Sequence, residues 1–393
     1  MIEIVDKRDC CGCGACAQVC PTRCITMRED SEGFLYPTLD LASCIGCSRC
    51  EEVCPVINQS DEREPIKVLG AKNRDDKVRG ASSSGGVFSG LSEETISKGG
   101  VVVAASFDKA WEVEHTVAQS IEECAKFRGS KYMQSRIGDN LLEIQRFLQQ
   151  GRVVLFCGTP CQVAALKLFL GGDTEGLTTV DFVCHGTPSP KVWRGYLDHI
   201  TEDKASISAI NFRDKSRGWK EYRFTLTAKD QSINQKASDN IFMRGFFQDL
   251  LLRPSCHHCP TRGLSSGSDI TLGDFWGVER VARSFDDKGG VSLVLLNSQR
   301  GVEAIERVEN IESFEAHYPT VVKYNPSIVR SAAVPTARAQ FFENVDSGMI
   351  QRLEQLTYVS PTQRGVRALK LTILELLPLP VVEWLERRKM GEK

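Results

Sequence analysis

Cysteine carries the most legible chemistry in this chain. There are 16 cysteines in 393 residues, and ten of them lie before residue 55. Eight of the ten form two copies of one spacing, C-x2-C-x2-C-x3-C-P. Cys10, Cys13, Cys16 and Cys20 precede Pro21, and Cys44, Cys47, Cys50 and Cys54 precede Pro55. A [4Fe–4S] cubane needs four thiolates around a compact core, and three closely spaced cysteines wrap one side of it. Zinc also takes C-x2-C, but usually as two separated pairs rather than a triplet with a fourth cysteine and a proline. The reading is two [4Fe–4S] clusters. Gly12, Gly14 and Gly46 suit tight loops where backbone approaches sulfide. Cys11 and Cys24 are left over and read as small packed residues.

A second constellation is more open. Six cysteines remain: Cys124, Cys157, Cys161, Cys184, Cys256 and Cys259. Cys157 ends an apolar run, and Cys161 opens the helical stretch that follows. Cys184 ends the next apolar run. If the two runs are parallel neighbours, a right-handed crossover brings their carboxyl ends to one edge and Cys161 close to Cys184. Cys256 and Cys259 form a C-x2-C half-site. The four can hold a third [4Fe–4S] cluster or one zinc. A C-x2-C pair can also work as a redox disulfide.

These residues need a scaffold, and the sequence predicts an α/β one. Strand candidates are 101–107, 153–157 and 178–184, with helices between them. Ile137, Leu141, Ile144 and Leu148 recur on one helix face. Segments 207–213 and 221–228 have β character and suggest an antiparallel addition. The polar stretch NQSDEREP reads as a linker after a small two-cluster module. The expected organisation is therefore that module over 1–58, a mixed-sheet α/β domain over 66–330, and a helical, basic-ended segment over 334–393. Formal net charge is -2, with 49 Lys and Arg against 51 Asp and Glu, so nothing marks a nucleic-acid binder. No signal peptide and no membrane-spanning run is expected; the stretch LKLTILELLPLPVV is broken by Glu375, Pro378 and Pro380. A cytoplasmic location is expected, where cysteines serve metal and redox chemistry more than disulfides.

The amino-terminal run resembles bacterial two-cluster ferredoxins. That resemblance implies one cluster on Cys10, Cys13, Cys16 and Cys54, and the other on Cys44, Cys47, Cys50 and Cys20. The stretches SSSGGVFSGL, RGSKYMQS, GTPCQVAAL, VCHGTPSP, SCHHCP and SDITLGDFWG occur in order over roughly residues 80–300. Together they resemble the beta subunit of coenzyme F-420-reducing hydrogenases and dehydrogenases. The resemblance implies a flavin domain with FAD and a third [4Fe–4S] cluster on Cys161, Cys184, Cys256 and Cys259, leaving Cys157 spare. The attached ferredoxin module implies electrons from a soluble low-potential donor.

A flavin dinucleotide needs donors for its pyrophosphate, and a helix amino terminus supplies them. Ser83, Ser84, Gly85 and Gly86 are candidates, as are Ser130, Lys131, Tyr132, Arg213 and Lys215. His185 is a candidate proton donor, and Asp274 a cavity-lining catalytic residue beside Trp276. No G-x-G-x-x-G follows a strand, so no Rossmann-type nicotinamide site is expected. The expected activity passes single electrons through the clusters to FAD and on to a small organic acceptor as a hydride equivalent. Two alternatives stand beside it: a non-catalytic electron-transfer subunit, and a zinc-stabilised binding protein.

Overall fold

A computed structural model describes residues 2–360 except 230 and 344, and residue 362. The basic carboxyl end and LKLTILELLPLPVV lie outside the described residues. Among those described, no helix is long and apolar enough to cross a membrane.

The amino-terminal module holds one hairpin, β1 (Ile25–Glu29) and β2 (Leu35–Leu39), and two short helices, Ala15–Val19 and Arg49–Glu52. The main body is an eight-stranded mixed sheet. Its strands are β3 (Lys67–Asn73), β4 (Val101–Phe107), β5 (Val113–Ala118), β6 (Val154–Cys157) and β7 (Leu177–Phe182). A separate sheet is formed by β8 (Ile207–Asp214), β9 (Arg223–Ala228) and β10 (Ser232–Lys236). The chain then returns to the main sheet with β11 (Ile270–Asp274), β12 (Ser292–Leu296) and β13 (Ile311–Glu315). The spatial order is β13-β3-β12-β11-β7-β6-β4-β5. Strands β4, β6, β7 and β11 are parallel neighbours, and the flanking pairs are antiparallel.

Burial on both faces explains the continuous apolar runs of the inner strands. In β4, Val102 and Ala104 face one core with Val87, Leu91 and Leu155, while Val101 and Val103 face another with Phe156, Val163 and Leu166. A third core is largely aromatic. Trp193, Tyr196, Phe212, Phe224 and Phe242 pack there between the smaller sheet and the helices Pro190–Ile200 and Ile241–Phe247. The helices Ala337–Phe342 and Met349–Thr357 close this core through Phe341 and Leu353.

Three expectations are adjusted. The helix predicted around Ile137–Leu148 starts at Asn140 and runs to Gln149, with Ile137 packed just before it. Strand β7 stops at Phe182, so Cys184 sits in the loop beyond it. The stretch after Pro55 is exposed but pinned: Arg63 donates to the carbonyls of Leu264 at 2.9 Å and Ser268 at 2.6 Å.

Candidate functional site

The parallel strands deliver their carboxyl ends to one edge of the sheet, the usual place for ligands in such sheets. Cys157 ends β6, and the helix Pro160–Leu170 starts beside it with Cys161 in its first turn. That start is fixed by a capping box between Thr159 and Gln162. Cys184 and His185 follow β7, and Asp274 ends β11. Cys256 lies in the turn Pro254–His258, with Cys259 directly after it.

Cys161, Cys184, Cys256 and Cys259 line one cavity of about 70 Å³. That is room for several waters or a compact inorganic group, and far below the ~300 Å³ of a typical small-molecule pocket. Burial pushes the Cys256 thiol up to about 11 and Cys184 well above its ordinary value, and the four sulfurs raise one another further. Four thiolates cannot share so dry a space without positive charge among them, so this donor set fits a metal cluster. Among the described residues no three His, Cys, Asp or Glu side chains converge on a point suited to one metal ion. Thr187 N–H points at Cys256 Sγ from 3.4 Å, and the Thr159 hydroxyl, which donates to Gln162 Oε1 at 3.1 Å, has its oxygen 3.1 Å from Cys161 Sγ.

In the amino-terminal module the cysteines of the two implied sets lie close enough to raise one another across the sets, with Cys50 acting on both Cys16 and Cys54. Cys16 is pushed up to about 12 by burial and then by Cys10 and Cys54. Cys50 lies near Ile2, whose N–H points at its sulfur from 3.4 Å. Cys47 is exposed, whereas Cys10, Cys13, Cys16, Cys50 and Cys54 are buried. Both leftover cysteines pack against apolar cores, as expected. Cys24 Sγ lies 3.3 Å from Cys20 Sγ. Cys11 lines the core cavity with Cys161.

His185 also lines that cavity. Its Nε2 hydrogen-bonds the Asp249 carboxylate and its Nδ1 lies 3.3 Å from the Ser327 hydroxyl. Its ring meets the edge of Phe246, with centroids 5.6 Å apart. The other face of this arrangement is Tyr132, whose ring centre is 4.7 Å from Phe246. One phenylalanine therefore stands between the cysteine cavity and a second polar site.

That second site is built around Arg213. Strand β8 breaks register between Asn211 and Asp214, and the bulge turns Phe212 and Arg213 both inward. Arg213 is 5% exposed. Its Nη1 pairs with Asp274 at 2.8 Å and donates to the Tyr132 hydroxyl at 3.2 Å. The guanidinium lies 3.9 Å from the centre of the Tyr222 ring. Burial works against its charge, but Asp274 together with Tyr132 and Tyr222 outweighs that and holds it protonated. Neither Nε nor Nη2 has a hydrogen-bond partner among the described residues. The buried indole N–H of Trp219, which stacks on Trp276 at 4.9 Å, is likewise unpartnered.

The serine loop and the RGSKYMQS segment do meet: Ser83 Oγ accepts from Ser130 N at 2.7 Å and from Ser130 Oγ at 2.9 Å. Ser84 is used by the protein, donating to Val291 O at 2.8 Å. The two lysines are already engaged. Lys131 Nζ donates to the carbonyls of Phe127, Arg128 and Gly129. Lys215 Nζ donates to those of Arg79, Ser84 and Gly289. Burial lowers both ammonium groups to about 8. Gly85 and Gly86 do not present bare backbone to open space. A Cβ on Gly85 would meet Ala71 O at 2.3 Å, and one on Gly86 would meet Asn73 Cβ at 3.2 Å. Gly86 is needed instead for its φ of 83° at the cap of the helix Val87–Ser97.

Sequence reasoning missed Arg253, Asp249 and Gln134. Arg253 is 1% exposed and donates to Cys10 O at 2.7 Å, Gln134 Oε1 at 3.1 Å and Leu35 O at 3.0 Å. No periodicity or spacing marks such long-range partners.

Residues 9–58 match the 4Fe-4S dicluster domain. Residues 68–141 match the amino-terminal domain of the coenzyme F420 hydrogenase/dehydrogenase beta subunit, and 151–321 match its carboxyl-terminal domain. One subunit of the F(420)H(2) dehydrogenase from Methanosarcina mazei is 27% identical over 273 residues, which is 65% of this chain and 73% of that protein. A chain of the F420-reducing [NiFe] hydrogenase complex from Methanosarcina barkeri is 18% identical with a TM-score of 0.48, covering 67% of this chain and 89% of that one.

Proposed function

Since the chain belongs to the coenzyme F420 hydrogenase/dehydrogenase beta-subunit family and carries a 4Fe-4S dicluster domain, we propose that it is an iron–sulfur flavoprotein oxidoreductase that moves electrons between a soluble low-potential donor and a small organic acceptor. The observation that carries the flavin half is the buried Arg213 with two unpartnered N–H groups. A buried donor without an acceptor costs about 1–3 kcal/mol, more when charged, so such a group points to a missing anionic or carbonyl partner. The phosphates of FAD, or the oxygen-rich edge of its isoalloxazine, have that chemistry.

Bound here, [4Fe–4S] clusters would supply one-electron transfer and FAD the exchange between single electrons and pairs. The chain's own residues divide the remaining work. Cys161, Cys184, Cys256 and Cys259 would ligate the third cluster, and the eight regularly spaced amino-terminal cysteines the other two. Arg213 would bind the flavin's acceptor atoms, with Asp274 fixing its plane; this makes Asp274 an anchor more than a proton donor. Tyr132 and Trp276 would wall the ring site, and Ser83 and Ser130 one rim of it. Lys131 and Lys215 would shape the surrounding loops, since their protons are taken. His185, oriented by Asp249, would carry a proton beside the cysteine cavity.

The test is anaerobic purification with flavin, iron and zinc analysis, followed by an Arg213→Lys comparison. Lysine keeps the charge beside Asp274 but loses the planar fork. Wild type is expected to hold one FAD, and the variant to bind it at least tenfold more weakly. Full-affinity FAD binding by the variant would remove Arg213 from the flavin site. Wild-type protein with iron but no flavin would favour the electron-transfer subunit, a reading supported by the relative that is one subunit of a dehydrogenase. Zinc without iron would return the binding-protein reading.

A further inference from the structure

A third group of polar side chains gathers on the smaller sheet, with no cysteine among them. Arg217, Glu221, Arg223, Asn234 and Lys236 line a cavity of about 510 Å³. That volume lies in the range of small-molecule sites. The lining is polar throughout and sets three cations against one carboxylate. Strand pairing fixes most of it. In the β9–β10 register Lys236 stands directly opposite Arg223. Like charges in that position are destabilising, and an anion between them removes the cost. Glu221 answers only one of the two, 3.3 Å from Lys236 Nζ, and its side chain is 70% exposed. Arg223 is held rather than free. Asn234 accepts from its Nε through Oδ1 and from its Nη2 through the backbone oxygen at 2.6 Å. This fixes the plane of the guanidinium and leaves Nη1 unused among the described residues. Arg217 is exposed in the connection between β8 and β9 and has no ion pair or side-chain hydrogen bond among the described residues.

We propose that this cavity is a second ligand site, separate from the one around Arg213, and that it binds a phosphorylated small molecule between Arg217, Arg223 and Lys236. Three cations less one carboxylate leave a surplus of two positive charges, which a phosphate ester or a diphosphate neutralises. Phosphate also has the right shape. Its oxygens point to the corners of a tetrahedron, so three cations can approach from three sides, and arginine engages them two at a time. A carboxylate offers two oxygens in one plane. The two sites adjoin through Tyr222. Its neighbours Glu221 and Arg223 line the cavity, while the Tyr222 ring centre lies 3.9 Å from the Arg213 guanidinium. The inference goes beyond the flavin reading and needs neither a flavin nor a cluster.

The test is calorimetric titration of inorganic pyrophosphate, ADP and citrate into the full chain. The proteins are wild type, Arg217→Gln, Arg223→Gln, Glu221→Gln and, as a surface control, Lys98→Gln, whose lysine pairs with Glu94 at the end of the helix Val87–Ser97. Wild type is expected to bind one pyrophosphate per chain, ADP no more weakly, and citrate at least tenfold more weakly. Arg217→Gln and Arg223→Gln each weaken pyrophosphate binding at least tenfold, Glu221→Gln tightens it, and Lys98→Gln matches wild type. Arg217 supports no neighbour, so a response lost in its variant is not a folding defect. The site is overturned if wild type shows no saturable binding, if Lys98→Gln weakens binding as much as Arg217→Gln does, or if citrate binds as tightly as pyrophosphate. It is overturned as a separate site if excess FAD displaces pyrophosphate one for one, because the cavity then belongs to the flavin. Arg213→Lys keeps pyrophosphate binding whatever becomes of its flavin, which separates a failure of this site from a failure of the flavin reading.

Discussion

Arg213 brings a permanent charge into a place that water does not reach, and Asp181 does the same with a titratable one. Asp181 is 1% exposed, lines the cysteine cavity, and accepts from Ser266 and Thr271 at 2.5 Å each. Burial raises its carboxyl from 3.8 to about 6 in spite of those hydrogen bonds. The folded protein therefore holds a proton there that the unfolded chain has already released, between pH 4 and 6. Stability from this group is full below pH 4 and lost as pH rises through 6. At about 1.4 kcal/mol per tenfold change in proton affinity, the loss approaches about 3 kcal/mol. Asp181→Asn removes the titration. Denaturant unfolding of wild type and variant from pH 5 to 8 should show their difference moving toward the variant as pH rises, then levelling. A difference that stays flat with pH would mean Asp181 is already ionised in the fold. Lys131→Met is expected to act on stability, because its loss frees three carbonyls that the ammonium now satisfies.

At the scale of elements, the helix Pro160–Leu170 positions Cys161 through its first turn. Thr159→Ala deletes half of the capping box and should cost about 1 kcal/mol. It also removes the hydroxyl 3.1 Å from Cys161 Sγ. The expected result is a lower unfolding midpoint together with a shifted visible spectrum of the core cluster; a lower midpoint with an unchanged spectrum would make the cap purely structural. This element was open to sequence reading, because threonine, proline and an apolar repeat announce it locally. So were β4, which coincides with VVVAASF, and the antiparallel pair β8 and β9. Strands β3, β5 and β13 carry shorter or mixed patterns and went unmarked. The same divide runs through the site. Cysteine spacing marks ligands because it is local chemistry, while Arg253 meeting Cys10 depends on segments 243 residues apart. The bulge that turns Arg213 inward is a register event, and register is a property of two strands.

For the whole molecule, the three-cluster reading expects about twelve iron atoms per chain, four for each cluster. Cys256→Ser should bring that to about eight and leave the amino-terminal pair intact, since serine oxygen is a poor substitute for a soft thiolate. Iron that stays near twelve would remove Cys256 from the ligand set. Arg253 joins the two halves. Arg253→Met leaves Cys10 O, Gln134 Oε1 and Leu35 O without their donor and should cost about 3 kcal/mol or more. The expected sign is protease cleavage between residues 58 and 66 that wild type resists; equal resistance would mean the rest of the seam holds the module in place.

The gradient of burial across the cysteines also governs how the protein ages in air. Cys47 is exposed and Cys20 and Cys44 partly so, while the remaining amino-terminal ligands are buried and the core set, partly exposed, lines a cavity. Oxygen and peroxide attack accessible sulfur first. Damage should therefore begin at the set containing Cys47, with iron falling from about twelve toward eight while the core signal persists. A molecule aged in this way keeps its core cysteine set while it loses the exposed one.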